Sequence, residues 1–373
     1  MLISATYLCP IRGLAGLEAP EPNRLGEAAK IARGLGIAQL QLPVLEESLV
    51  AQVRAKVRFL DGLIQGLDRA AEAGMKVRMI LPAQRVLGLY WAPPYLLRPL
   101  RSEKDTPVFV NGEIRTLRPL DWWGNPALME KRIRSFRELL SAVHGHPALS
   151  GWVVLDRALE WPRPAQEAAW YFLKSLVAEV RHRDEKGPIY LGVGWSELLD
   201  PGFLKTLAHE AQGLRIGGLE EAPEGIEGSA GLAGDLRLAA YLGSLAQWLF
   251  GRPAEVEIGW GLMAQQDEPE EISASGRVLA EQGLEGVVWA SLVDPEPILR
   301  RDPPWLLRPG LEQVGLLQED LEPKRWVEDL LKEIQSSGEA GKGREFIDLS
   351  PEEYLADPRK HLSRLWGHFL RRA

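Results

Sequence analysis

Residues 146–161 read HPALSGWVVLDRALEW, and the mostly apolar run Ser150–Leu155 inside them ends on the charged pair Asp156 and Arg157. A short apolar run bounded by turn and charge signals reads as a strand covered on both faces. Seven further runs of the same kind occur, at Leu2–Leu8, Ile37–Leu42, Val77–Leu81, Ile189–Val193, Leu214–Leu219, Ala254–Ile258 and Gly286–Leu292. Longer segments with helical spacing separate them, so the chain reads as repeated βα units around a parallel sheet. Eight such strands close an α/β fold of the (β/α)8 TIM-barrel type.

The helical spacing is clearest after the second strand, where Val50, Val53, Val57, Leu60, Ile64, Leu67 and Ala71 step by three and four alternately. Such a stripe covers a sheet from outside. Arg24–Arg33, Asn125–Val143, Pro164–Arg183, Asp235–Phe250 and Pro269–Gln282 are the other candidate helices. A doubly wound open sheet is the alternative, but Pro10-Ile11-Arg12-Gly13 after the first strand is a poor match to a dinucleotide-binding loop. The connection Gln84–Asn125 is too long for an ordinary βα turn, and in a barrel it lies over the C-terminal mouth, where sites are built.

The chain of 373 residues is long enough for a barrel with an appendage, and its 45% apolar and 26% charged residues are ordinary for a globular protein. A formal charge of −8 argues against nucleic acid, which calls for a basic stripe. Cys9 is the one cysteine, so no intrachain disulfide forms, and His144-Gly145-His146 lacks a third metal ligand. No metal or other cofactor is therefore expected, and a lone cysteine fits a cytoplasmic location. No apolar run approaches the ~18 residues of a membrane span.

Two segments carry a resemblance. HPALSGWVVLDR is similar to the fourth barrel strand of cellulase-like (clan A) retaining glycosidases, roughly H-P-x-[hydrophobic]-x-G-W-x-[hydrophobic]-x-N-E. PAEVEIGWG, residues 253–261, is similar to their seventh strand, P-x-[β-branched]-x-E-x-G-W. GLLQEDLEPKRWVEDLLKEI, residues 315–334, resembles their barrel-closing passage and sets the barrel's end near Gln335. The resemblance implies a nucleophile at Glu257, and it places Asp156 and Arg157 where the family has its sugar-holding Asn and its acid/base Glu. The pleat agrees: if Val256 and Ile258 face the helices, Glu257 faces the interior. A slip of one residue would put Gly259 there instead.

Retaining hydrolysis needs two carboxyl groups about 5–5.5 Å apart, and an arginine cannot donate a proton usefully near neutral pH. Glu160 as a displaced acid, or Glu197 or Glu220 from neighbouring loops, would restore one. Alternatively, Asp156 and Arg157 bind an anionic group such as a uronate, carboxylate or phosphate. Flat aromatic faces suit sugar rings, and Trp91, Trp122, Trp123, Trp161, Trp195, Trp260 and Trp289 all fall near predicted strand ends; Trp289 also matches the family's sugar-binding floor. Each of them is otherwise core packing. Tyr7, Gln41, Glu46, Gln84 and Arg85 complete the candidates from strand ends. Two functions remain open: a glycosidase-like barrel acting on a carbohydrate through Glu257, and an inactive barrel that binds a saccharide or anion as a sensor, scaffold or partner subunit.

The barrel, residues 1–335, is followed by a composition-flexible linker, 336–349, and a helical tail, 350–373. Ser350-Pro351-Glu352-Glu353 has the form of a capping box, and Leu362, Leu365, Trp366, Phe369 and Leu370 share one helix face. That face docks on the chain's own barrel, on a protein partner or on a membrane surface.

Overall fold

The computed structural model describes residues 1–8, 21–98, 106–111, 113–219, 226, 230–261, 268–301, 305–336 and 344–372; Cys9 and Glu220 lie outside them. Eight parallel strands close a barrel: β1 Leu2–Thr6, β2 Gln39–Pro43, β3 Lys76–Ala83, β4 Leu149–Asp156, β5 Ile189–Gly194, β6 Gly213–Gly217, β7 Ala254–Ile258 and β8 Gly286–Trp289. They pair in chain order, and β8 returns to β1 with Ala5 opposite Trp289. The outer layer is α1 Pro22–Gly34, α2 Val53–Glu72, α3 Pro126–Ala142, α4 Gln166–Arg183, α5 Pro201–Ala208, α6 Gly231–Phe250, α7 Pro269–Glu281 and α8 Val327–Ser336. The chain is a (β/α)8 TIM barrel with further helices at its C-terminal side.

Three sequence expectations are corrected. On α2 the buried face is Phe59, Leu63, Leu67 and Ala70, while Val53 and Val57 are exposed; packing against β3 and α1 turns the helix one position from the expected stripe. The eighth run splits, with Ser291–Val293 leaving the barrel to pair with Gly315–Leu317. Helix α5 has no counterpart among the candidates; Asp200 caps it by accepting from the Phe203 amide, and Pro201 opens it.

The barrel interior is charged. Glu255 of β7 accepts from Arg78 of β3 at 2.5 Å and from Gln41 of β2 at 3.3 Å, contacts across the barrel that fix its side chain inside. Val256 consequently points out, toward Gly243 of α6. Room for such long side chains comes from glycine: a methyl at Gly213 would lie 2.5 Å from the Tyr190 ring, and one at Gly192 would lie 2.5 Å from the Asp156 backbone.

The Gln84–Asn125 connection builds a five-stranded sheet of its own from Arg85–Val86, Leu89–Trp91, Leu97–Arg98, Thr106–Val110 and Glu113–Pro119. Its first hairpin turns through Leu87 and Gly88, both with positive φ (51° and 74°), the requirement of a tight two-residue turn.

The C-terminal segment closes over α6. Helices α9 Pro351–Ala356 and α10 Pro358–Leu370 bury Leu362, Leu365, Trp366 and Phe369, with Trp366 and Phe369 against Tyr241 of α6. The Tyr241 hydroxyl donates to the Leu362 carbonyl and the Tyr354 hydroxyl to the Leu198 carbonyl. Phe346, which composition assigns to the linker, is buried against Tyr241 and Phe369, so the packed tail begins earlier than position 350. No described helix is long and apolar enough to cross a membrane.

Candidate active site

The site is built where β4, β6 and β7 end. Alternation along β7 brings Glu257, two residues after the interior-facing Glu255, to the C-terminal mouth. Beside it on β6, Arg215 donates from one amino group to Glu257 at 3.3 Å and from the other to Asp156 of β4 at 2.6 Å. Arg215 is 2% exposed, and burial acts to lower its pKa, but the surrounding carboxylates of Asp156, Glu257 and Glu255 outweigh burial and hold it more firmly charged. Burial raises the Asp156 carboxyl, with Arg215 and Arg157 pulling against that rise. A methyl on Gly217 would sit 2.7 Å from the Glu257 carboxylate and 3.4 Å from the Arg157 chain, so the ends of β4, β6 and β7 meet around this glycine.

The end of β4 is strained. Leu155 and Arg157 both have left-handed backbones, with φ of 56° and 55°, on either side of Asp156. Side chains other than Gly, Asn and Asp pay about 1–2 kcal/mol there. That strain aims Arg157 back over the mouth, where its Nη2 would lie 3.0 Å from a methyl on Gly218. Its Nε donates to Glu160 at 3.2 Å, and the other Glu160 oxygen accepts from Arg85 at 2.9 Å and from the Tyr90 hydroxyl at 3.4 Å. Burial, then Glu160, pushes the Tyr90 hydroxyl up to about 12.

Behind Glu160 stands Glu197, fully buried, accepting from the Gly194 amide at 2.6 Å and from Arg163 at 3.4 Å. Burial, followed by the nearby Glu160 carboxylate, pushes Glu197 up to about 8. That rise favours its protonated form, but Glu197 is not part of the cavity wall. Below the other end of the site, Asp235 of α6 accepts from the Gly259 and Gly261 amides at 2.6 and 3.3 Å, and burial raises it to about 7. It thereby holds the turn that carries Trp260 into the site.

Asp156, Arg157, Arg215, Glu257 and Trp260 line a cavity with a volume of about 20 Å³, together with Thr6, Leu8, Pro43, Ile80, Ala290 and the hairpin Arg85–Gly88. That is room for one or two waters, whereas ligand pockets run to about 300 Å³ or more. The hairpin is the roof.

Of the tryptophans singled out by position, Trp260 lines the cavity. Trp122 and Trp123 stack on each other and wedge against Phe172 of α4, with Arg132 3.7 Å over the Trp122 ring, so they are core. Trp91 packs on Phe109 within the insertion, and Trp289 is buried, donating to the Val314 carbonyl beside Trp326. Trp161 and Trp195 are half-buried at the rim, the former stacked on Tyr90. Position after a strand does not fix which way a ring turns, and here most turn into the wall. Tyr7 is buried at the end of β1; Gln41 lies lower, on Glu255; Gln84 bonds the Trp161 carbonyl; Glu46 pairs with Arg132 at 2.7 Å. Arg215 and Asp235 are the site residues that the sequence reading missed. The signal for Arg215 was a charge inside the apolar run GLRIG, which in a strand covered on both faces must point into the barrel.

No family model and no curated protein matches this sequence. Solved structures do. An exo-beta-1,4-mannosidase, Op5Man5 from Opitutaceae bacterium strain TAV5, superposes with a TM-score of 0.71 at 15% identity over 90% of this chain, which spans 59% of that chain. A GH5_18 protein from Streptomyces cattleya, solved with GlcNAc, gives 0.72 at 15% identity over 91% of this chain and 82% of that one. A GH5_18 from Bifidobacterium longum subsp. infantis gives 0.68 at 16%, over 91% and 80%. The chain shares the barrel fold of these structures.

Proposed function

We propose that this barrel binds a carbohydrate at its mouth and does not carry out acid-assisted hydrolysis of it. The observation that carries the reading is Arg157: a buried guanidinium stands at the end of β4, and the one described carboxyl that shares the cavity wall with Glu257 is Asp156, bonded to Arg215 at 2.6 Å. Glu160, the displaced-acid candidate, accepts from Arg157, Arg85 and Tyr90 and so serves as an acceptor. Glu197, pushed up by burial, is outside the cavity wall. Glu257 is our reading of the attacking carboxylate, and two guanidiniums lie beside it.

The test uses mannose- and GlcNAc-containing oligosaccharides, since one neighbour is an exo-beta-1,4-mannosidase and another was solved with GlcNAc. Binding without release of sugar is expected. Activated aryl glycosides, whose leaving groups need no acid, should be cleaved slowly, and Glu257→Gln should abolish that cleavage. Turnover of an unactivated oligosaccharide at the ordinary 1–10³ per second would overturn the proposal. Absence of any aryl-glycoside cleavage or covalent labelling at Glu257 would leave only the binding function.

A further inference from the structure

We propose that the saccharide bound here carries a carboxylate, and that this carboxylate takes the place of Glu160 between Arg157 and Arg85. The proposal rests on the saccharide-binding reading above. Glu160 is a carboxylate already seated in a two-arginine clamp: one oxygen on Arg157 at 3.2 Å, the other on Arg85 at 2.9 Å, all three side chains at most 9% exposed. Two guanidiniums, one on each oxygen of a carboxylate, supply charge-assisted donors of the kind that recognise uronates and other planar anions. Both arginines line the cavity, whereas Glu160 stands behind them. The two come from different bodies. Arg157 is fixed by the strained end of β4, and Arg85 rides on the hairpin that roofs the site.

This arrangement bears on the small size of the cavity. A sugar ring cannot enter about 20 Å³, so the roof must lift, and lifting it draws Arg85 away from Glu160. A ligand carboxylate restores the bridge between Arg85 and Arg157 from the cavity side, and the roof recloses over the sugar. A neutral saccharide offers no such exchange, so the contact between Arg85 and Glu160 is lost without a replacement. The clamp holds a singly charged, planar group, so a carboxylate suits it better than a phosphate.

The full chain is titrated calorimetrically with a glucuronic acid-terminated disaccharide, the matching neutral glucose disaccharide and glucose 6-phosphate. We expect the uronate to bind at least tenfold tighter than the neutral sugar, with a preference that shrinks in high salt. Arg157→Gln and Arg85→Gln should each erase the preference. Glu160→Gln should tighten uronate binding several-fold, because the internal rival is gone; a purely structural Glu160 would weaken both sugars alike, and that result overturns the inference. Equal binding of neutral and acidic sugars by the native chain overturns it as well, while leaving saccharide binding intact. Tightest binding of the phosphate overturns the carboxylate class. No saccharide binding at all removes both readings. Should an arginine variant fail to fold, the native-chain comparison still decides.

Discussion

Arg215 is the residue whose loss the structure prices most directly. Its side chain is 2% exposed and holds Asp156 at 2.6 Å and Glu257 at 3.3 Å. Arg215→Met keeps most of the volume and removes the charge, so two carboxylates are left facing each other in a cavity of about 20 Å³. Breaking a buried ion pair by deleting one partner costs about 3–5 kcal/mol. With an unfolding entropy of about 2.1 cal/mol/K per residue, a chain of this length should lose about 4–6 °C in melting temperature. The loss should depend on pH. Burial already raises Asp156 in the folded state, and without Arg215 the rise is larger. A raised folded pKa means that the folded form takes up protons more readily than the unfolded one, so stability recovers as pH falls. Calorimetric melting at pH 8 and pH 5 should therefore show the larger deficit at pH 8. Arg134→Ala, which breaks an exposed pair with Glu130, should shift nothing measurable. A deficit of under about 1 °C for Arg215→Met, or one equal at both pH values, would refute the reasoning.

Gly217→Ala places a methyl 2.7 Å from the Glu257 carboxylate; overpacking should cost about 1–3 kcal/mol and cut ligand affinity, both read by melting and titration, and an unchanged affinity would mean that Glu257 has slack. Asp235 is raised by burial to about 7 from 3.8, so its contribution to stability is present in acid and lost as pH climbs between those values; Asp235→Asn should flatten the decline in melting temperature from pH 5 to 8, and a steeper decline would count against it. Glu197, raised to about 8, contributes with the same sign and leaves a residual slope. Trp366→Ala, at a position 3% exposed against Tyr241, should cost about 3–5 kcal/mol while leaving ligand titrations unchanged; a loss of binding would tie the tail to the site.

The barrel was legible because parallel strands buried on both faces read as apolar runs, and each of the eight runs overlaps a barrel strand. Helix α5, Pro201–Ala208, escaped because eight residues give barely two turns of periodicity, and its signals were the cap Asp200 and Pro201. On α2 the periodicity was right and the face was wrong, since Val53 and Val57 begin the helix before it meets the sheet. The interior position of Glu257 follows from strand alternation; the tryptophan ring does not form, because rotamer and backbone turn decide whether a ring faces the mouth or the wall. Trp122 and Trp123 are held in the wall by Arg132 and by Phe172, the latter about fifty residues away in sequence.

One substitution separates the two ways in which this site can lack hydrolysis. Arg157→Glu places a carboxyl where the buried guanidinium now lies, with Glu160 on one side and Glu257 on the other. Burial and two neighbouring carboxylates both favour the protonated form, the condition that a general acid needs. If the missing acid is the obstacle, the variant should hydrolyse an unactivated oligosaccharide at least a hundredfold faster than the native chain, a gain within the 10²–10⁴ typical of general acid catalysis. If the closed roof is the obstacle, the variant gains nothing until Arg85 is also replaced, because Glu160 still holds the hairpin down through Arg85 at 2.9 Å. Measuring Arg157→Glu alone and with Arg85→Ala tells these apart: activity in the single variant assigns the block to chemistry, activity only in the double variant assigns it to access. Silence in both, with saccharide binding retained, would mean that Glu257 persists for its ion pair with Arg215 and not as a nucleophile.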